Sequence, residues 1–190
     1  MVYRTRMVRL TAYFLFIIIV FTRPSFAEYY EISTSENLGF SYFVASIPFQ
    51  GEFKIVESKF DIDFRKPKNS VFFVKFDLTQ SNAGFFLATT AMKQVLDANR
   101  FPYVTFQSYK VEFKDKGFFV IGYLKVRDVS KPVNLFVDVL NDYNSASEKI
   151  RFSIKAKFNR LQFGADGYYP IVGDQIAIKD AVTLNKSKKK

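Results

Sequence analysis

The sequence predicts an all-β domain with one helix, an antiparallel meander that closes as a barrel or packs as a sandwich. Three observations carry this expectation. Apolar and polar residues alternate with period two, most plainly Ile150, Phe152, Ile154, Ala156 and Phe158 against Arg151, Ser153, Lys155, Lys157 and Asn159. Turn residues recur at short intervals between such runs. Past the first segment, helical spacing occurs only between Gly84 and Asn99, where Ala, Leu, Met, Lys and Gln are frequent.

The first segment reads as a leader. Arg4, Arg6 and Arg9 precede the apolar stretch Leu10 to Phe21, and Ser25-Phe26-Ala27 offers small residues before a cleavage point. That order is a secretory signal peptide over 1–27, cut after Ala27. The stretch is short for a membrane span, which needs about 20 residues. An uncleaved anchor is the alternative.

Charge follows the same division. The net charge is +10, of which four arginines belong to the leader and four lysines (186, 188, 189 and 190) to the basic tail 186–190. The domain between Glu28 and Asn185 is therefore near +2 (10 − 4 − 4). A basic excess usually points to nucleic acid or a membrane surface; here it sits in the two ends. The tail lysines are a solubilising terminus or a transient contact to anionic headgroups.

From Tyr29 a short strand runs to Ser33, and a second is expected from Phe40 to Ala45. Pro48 and Gly51 bracket a turn or bulge before Glu52 to Val56. Lys59 to Arg65 alternates, with Phe60, Ile62 and Phe64 on one face and Lys59, Asp61, Asp63 and Arg65 on a wet face. After a turn at Lys66 to Asn69, Ser70 to Thr79 points Phe72, Val74, Phe76 and Leu78 one way and Lys75, Asp77 and Thr79 the other. The helix spans Phe85 to Asp97. Pro102 ends it and opens a hairpin: Tyr103 to Phe113, a turn at Lys114-Asp115-Lys116-Gly117, Phe118 to Val126, and closing turn residues Asp128 to Pro132. Val133 to Leu140, Ile150 to Asn159 and Gln175 to Leu184 complete eight to nine strands.

The residues exclude much chemistry. The chain has no cysteine and no histidine, hence no disulfide, no thiol nucleophile and neither the commonest general base nor the commonest metal ligand. Ser108 has no histidine to activate it, and its expected role is a hydrogen bond within the wall. Asp61 and Asp63 read as part of a charged strand face, flanked by Lys59 and Arg65. Asp174 and Asp180 have no carboxylate cluster beside them. No catalytic residue, metal ligand or cofactor is assigned. Arg151, Lys155 and Lys157 interleave with aromatics as in single-strand nucleic-acid binders. Strand parity sends those aromatics to the opposite face, so no nucleic-acid partner is expected. Phenylalanine is the outlier, at 24 residues, and Phe-rich inward faces alone favour a solid core over an apolar cavity.

The hairpin and its flanks resemble one family. Phe101-Pro102-x-Val104-x-Phe106-x-Ser108 and Gly122-x-Leu124-x-Val126-x-x-Val129-x-Lys131-Pro132-Val133-x-Leu135 are similar to signatures of the YceI-like polyisoprenoid-binding proteins. Gly51-x-Phe53, Arg160-x-x-Phe163-Gly164 and Val172-Gly173-Asp174 add weaker matches in the same order, covering nearly the whole mature chain. Two positions depart. Where many members carry an Arg-Asp pair, this chain reads Gly84-Phe85-Phe86-Leu87-Ala88-Thr89-Thr90, which implies a more hydrophobic barrel mouth. Ser130 stands in place of the family's threonine.

The resemblance implies an extended, lipocalin-like antiparallel barrel of about eight strands, exported to the periplasm. Its interior is implied to hold a polyisoprenoid chain, of the isoprenoid quinone or polyprenyl phosphate type. Strand parity then nominates the ligand-binding residues: Phe60, Ile62, Phe72, Val74, Phe76, Val120, Leu124, Phe152, Ile154 and Phe158, with Phe86 and Met92 from the helix. A one-residue register error would exchange faces. The alternative function is an exported structural or stress-response β-domain with a solid core and no ligand.

Overall fold

The computed structural model describes residues 27–144 and 146–187. Residues 1–26, where the leader and most of its cleavage site are expected, and tail residues Lys188, Lys189 and Lys190 lie outside the described residues. The strands are β1 (Glu28–Ile32), β2 (Asn37–Val44), β3 (Ile47–Ile62), β4 (Val71–Asn82), β5 (Tyr103–Lys114), β6 (Gly117–Val126), β7 (Val129–Val139), β8 (Lys149–Asn159) and β9 (Gln175–Lys186). One helix, α1 (Phe86–Val95), and 3-10 turns at Pro67–Asn69 and Arg160–Phe163 complete the order.

From β2 to β9 each strand pairs antiparallel with its chain neighbour. Phe40↔Ile178 and Ser41↔Ala177 bring β9 back to β2, closing an eight-stranded barrel. Below that short seam β1 fills the gap between β3 and β9. The seam is spliced by Asp180, whose Oδ2 accepts the Gly39 N–H at 2.6 Å.

Several local expectations are corrected. The first long hairpin turns at Ala45-Ser46, not near Pro48 and Gly51, with both residues at positive φ (46° and 68°). That is the geometry of a tight two-residue hairpin turn, reached here without its usual Gly or Asn. The two strands expected on either side of Ser58 are one continuous β3. Asp128 to Pro132 is not a closing turn: the chain reverses at Arg127-Asp128, and Pro132 lies inside β7 opposite Tyr123. Pairing of β7 with β8 begins only at Leu135, so the proline sits where β7 has one partner strand.

The wet face of Lys59 to Arg65 is also corrected. β3 ends at Ile62, and Asp63 is buried, 6% exposed. Its carboxylate accepts the N–H groups of Arg65 and Lys66, both at 2.9 Å, forming the turn below β3. Asp77, expected on an outer face, is buried too; it accepts from Thr79 N, Thr79 Oγ1 and Gln80 Nε2 where β4 leaves its regular ladder.

Where ladders break, buried serines repair them. Ser108 Oγ accepts the Phe72 N–H (2.8 Å) beside a bulge in β5. Ser58 takes Ile32 N, Ser70 takes Asp63 N and Ser81 takes Lys54 N. An unpaired buried N–H would cost about 1–3 kcal/mol, so these hydroxyls are part of the wall.

The two ends of the barrel differ. At the end carrying both described termini, Phe60, Phe72, Phe113, Phe118 and Phe152 pack ring against ring at centroid distances of 5.2 to 6.4 Å. The Phe64 and Tyr143 rings meet at a tilt beneath them, centroids 4.9 Å apart. At the other end the β2–β3 turn, α1 and the segment 164–174 surround an opening.

Candidate functional site: an apolar cavity at the open end

The inward residues of the upper strand halves are Leu38 and Phe40 of β2, Val74 and Phe76 of β4, Val104 and Phe106 of β5, Leu124 and Val126 of β6, and Ile154, Ala156 and Phe158 of β8. They do not meet at the barrel axis. Together with Ile176 and Ile178 they enclose a cavity of about 590 Å³. Helix α1 lies across its top. Ala88, Met92 and Val95 face into it, and no α1 residue is fully buried. The solid core that Phe-rich faces alone favour is found only in the lower half; the upper half is hollow.

Two signature glycines set the wall's thickness. A Cβ on Gly122 would run into the ring of Phe106 and the Gln107 carbonyl, and one on Gly51 into the ring of Phe40 and the Asn82 carbonyl. Each glycine lets a lining phenylalanine lie flat on the neighbouring strand.

Polar groups near the cavity are already engaged. Tyr42 Oη donates to the Ala83 carbonyl (2.8 Å), and Tyr168 Oη meets Gln94 Oε1 (3.1 Å). Arg160, 7% exposed, is the only charged residue among those lining the cavity. Its Nε donates to Gly173 O (2.8 Å), its Nη2 to Val172 O (2.7 Å), and its Nη1 to Ala165 O and Gly167 O. Burial draws the guanidinium's pKa below its ordinary value, against the pull of Asp166 and Asp174. The motif arginine thus ties the segment 164–174 over the barrel end, and its fork is spent on carbonyls.

The twelve nominated residues divide three ways. Val74, Phe76, Met92, Leu124, Ile154 and Phe158 line the cavity. Phe60, Ile62, Phe72, Val120 and Phe152 point inward but are buried in the packed lower half, where they form its floor. Phe86 is a correction: at the first position of α1 it faces solvent, 81% exposed, while Phe85 and Leu87 beside it border the cavity. Sequence reasoning missed Leu38, Phe40, Val104, Phe106 and the β9 pair Ile176 and Ile178. The strict alternation Ile176, Ile178 was the available signal.

The remaining polar candidates hold structure. Asp174 Oδ2 accepts from Asn159 Nδ2 (2.7 Å), and Asp180 serves the seam. Among the described residues no three Asp, Glu, His or Cys side chains are grouped to hold a metal ion. On the outer face of β8, Lys155 is paired with Asp138 (2.6 Å). Lys186 lies at the closed end, 3.0 Å from Glu28.

Comparison with known proteins agrees with this geometry. The family model of the YceI-like domain matches residues 30–187. No curated protein matches. Among solved structures, BcnA of Burkholderia cenocepacia superposes with a TM-score of 0.68 at 18% identity, over 80% of this chain and 98% of that one. The YCEI protein of Campylobacter jejuni gives 0.59 at 23% identity, over 72% of this chain and 82% of that one. At these identities the likeness is one of fold.

Proposed function

The chain belongs to the YceI-like domain family, and from that premise we propose that it is an exported binding protein holding a polyisoprenoid chain, of quinone or polyprenyl phosphate type, as carrier or reservoir. The carrying observation is the cavity: about 590 Å³, walled by aliphatic and aromatic side chains, with its one cation already saturated by carbonyls. Such a wall offers area and almost no direction. That suits a branched hydrocarbon, for which burying each CH₂ is worth about 0.8 kcal/mol, and it offers little to a polar metabolite, which needs placed hydrogen-bond partners.

Volume sets the capacity. A cavity of about 150 Å³ takes one benzene, six carbons. In that ratio 590 Å³ takes about 24 carbons, between four and five isoprene units. The chain enters tail first, stops on the phenylalanine floor, and leaves its head group at the mouth.

Native mass spectrometry of protein recovered from a bacterial periplasm, followed by organic extraction, tests this. A constant co-purifying isoprenoid mass is the expected result. A clean apo mass with no uptake of added quinone would sink it. N-terminal sequencing of the same sample tests export, with Glu28 the expected first residue.

A further inference from the structure

We propose that the rim of the barrel mouth is a bilayer-docking surface, which inserts into the interface of a lipid membrane and places the cavity opening against hydrocarbon. Three segments meet at the opening and are tied to one another. Ala45 N donates to Ile171 O and Gly173 N to Phe43 O, both at 2.8 Å, joining the β2–β3 turn to the segment before β9. The Phe49 and Phe85 rings, 5.5 Å apart, join the same hairpin to the start of α1. The surface they build is apolar and exposed: Phe43 and Ile47 on the hairpin, Phe86 and Leu87 on the helix, Tyr169 and Ile171 on the segment, each between 49% and 81% exposed. Contiguous exposed apolar surface of this kind marks an interaction site.

Charge and continuity identify the occupant. Tyr42 to Gln50, Gly84 to Met92 and Gly167 to Gly173 contain no Asp, Glu, Lys or Arg. A protein interface surrounds its apolar centre with a polar rim; here the three stretches that carry the exposed apolar residues are uncharged, and Lys93, Asp166 and Asp174 lie just outside them. The outer side of a surface helix is ordinarily polar, yet the first turn of α1 presents Phe86 outward and Leu87 beside it. Tyr168 and Tyr169 are of the type enriched where membrane meets water. Leu87 and Ile171 are exposed and also line the cavity, so the patch is continuous with the interior. An apolar chain could pass from bilayer to cavity without crossing water. The choice of a bilayer over a protein partner rests in part on the lipid-binding reading; docking itself is measured separately.

The chain contains no tryptophan, so single tryptophans report position in the full chain, whatever the leader or tail contributes. Phe86→Trp reads the rim, and Phe136→Trp, an exposed outer-wall site opposite Phe119 on β6, reads the flank. With neutral phosphatidylcholine vesicles, the Phe86→Trp emission is expected to shift to the blue and to be quenched by brominated acyl chains, in 0.1 M and 0.5 M salt alike, with Phe136→Trp unchanged. The double variant Phe86→Ser/Ile47→Ser, which touches no cavity-lining side chain, is expected to lower vesicle partition about tenfold or more with an unaltered melting curve. Three results would each overturn the proposal: no shift at position 86, equal quenching at position 136, or a blue-shifted position 86 before vesicles are added in protein of twice the monomer mass, which would assign the rim to a second copy. Isoprenoid uptake with no shift at position 86 would remove the docking surface and leave the proposed function standing; the reverse outcome would do the opposite.

Discussion

On the proposed function, filling part of the cavity should shorten the chain it can hold. Ala156 sits inward on β8, opposite Ile178 and Leu135, and faces the empty upper half of the barrel. Ala156→Phe adds one benzene-sized ring, about 150 Å³ of the 590 Å³ on the measure by which such a cavity takes one benzene. The loss is about six carbons, or one isoprene unit. The assay is titration with prenyl alcohols of increasing length, read by native mass spectrometry or calorimetry. At about 0.3 kcal/mol per heavy atom, five added carbons give about 1.5 kcal/mol, so affinity should rise roughly tenfold per unit. In the wild type the rise should level off between about four and five units, and in Ala156→Phe about one unit sooner, with short alcohols bound as well as before. An unbroken rise through much longer chains, or the same break point in both proteins, would refute the reasoning, because either would place the chain outside the cavity.

Three further outcomes are expected. Gly122→Ala should destabilise the fold by about 1–3 kcal/mol, since its Cβ meets the Gln107 carbonyl as well as the Phe106 ring; a urea midpoint measures it. Arg160→Leu strips four carbonyls of their donor and should cost about 3 kcal/mol or more, with faster proteolysis in segment 164–174 and with Arg160→Lys restoring only part. Burial, with Glu28 and Glu148 adding to it, pushes the Tyr30 hydroxyl up to about 12. A raised folded-state value favours the fold fully below the ordinary value of 10 and loses that contribution as pH climbs toward 12. Alkaline melting curves should therefore fall steeply between those values in the wild type and less steeply in Tyr30→Phe, which also loses the bond to the Ser147 carbonyl (2.9 Å).

The barrel was legible wherever one face of a strand is apolar without interruption. On β8 every second residue from Ile150 to Phe158 points inward, and the parity found in the sequence is the parity of the structure. The β2–β3 turn was not legible, because Ala45 and Ser46 adopt positive φ without the residues that usually signal it, while Pro48 and Gly51 nearby supplied a false signal. Asp63 was misread because parity assumes that the strand continues; β3 stops one residue earlier, and the carboxylate turns to the backbone N–H groups below it. The division of inward residues into floor and cavity has no local signature. Phe152 and Phe158 sit on the same strand face and differ only in height, and height follows from stagger around the closed barrel, which no single strand encodes.

That difference in height also separates stability from function. The closed end is dense: ring packing among Phe60, Phe72, Phe118 and Phe152, β1 wedged between β3 and β9, and Tyr30 and Lys186 fastened to Ser147 and Glu28. The open end is held by less. The helix buries no residue fully, β2 meets β9 over two residue pairs, and β7 has no β8 partner above Leu135. Segments with few buried contacts open at the smallest free-energy cost. Movement of α1 would therefore widen the mouth, while the phenylalanine floor and the 164–174 segment tied down by Arg160 stayed in place. On the proposed function this asymmetry has a use: a hydrocarbon cargo would be retained by area buried against the rigid wall and admitted past the helix, the part of the mouth that buries no residue fully.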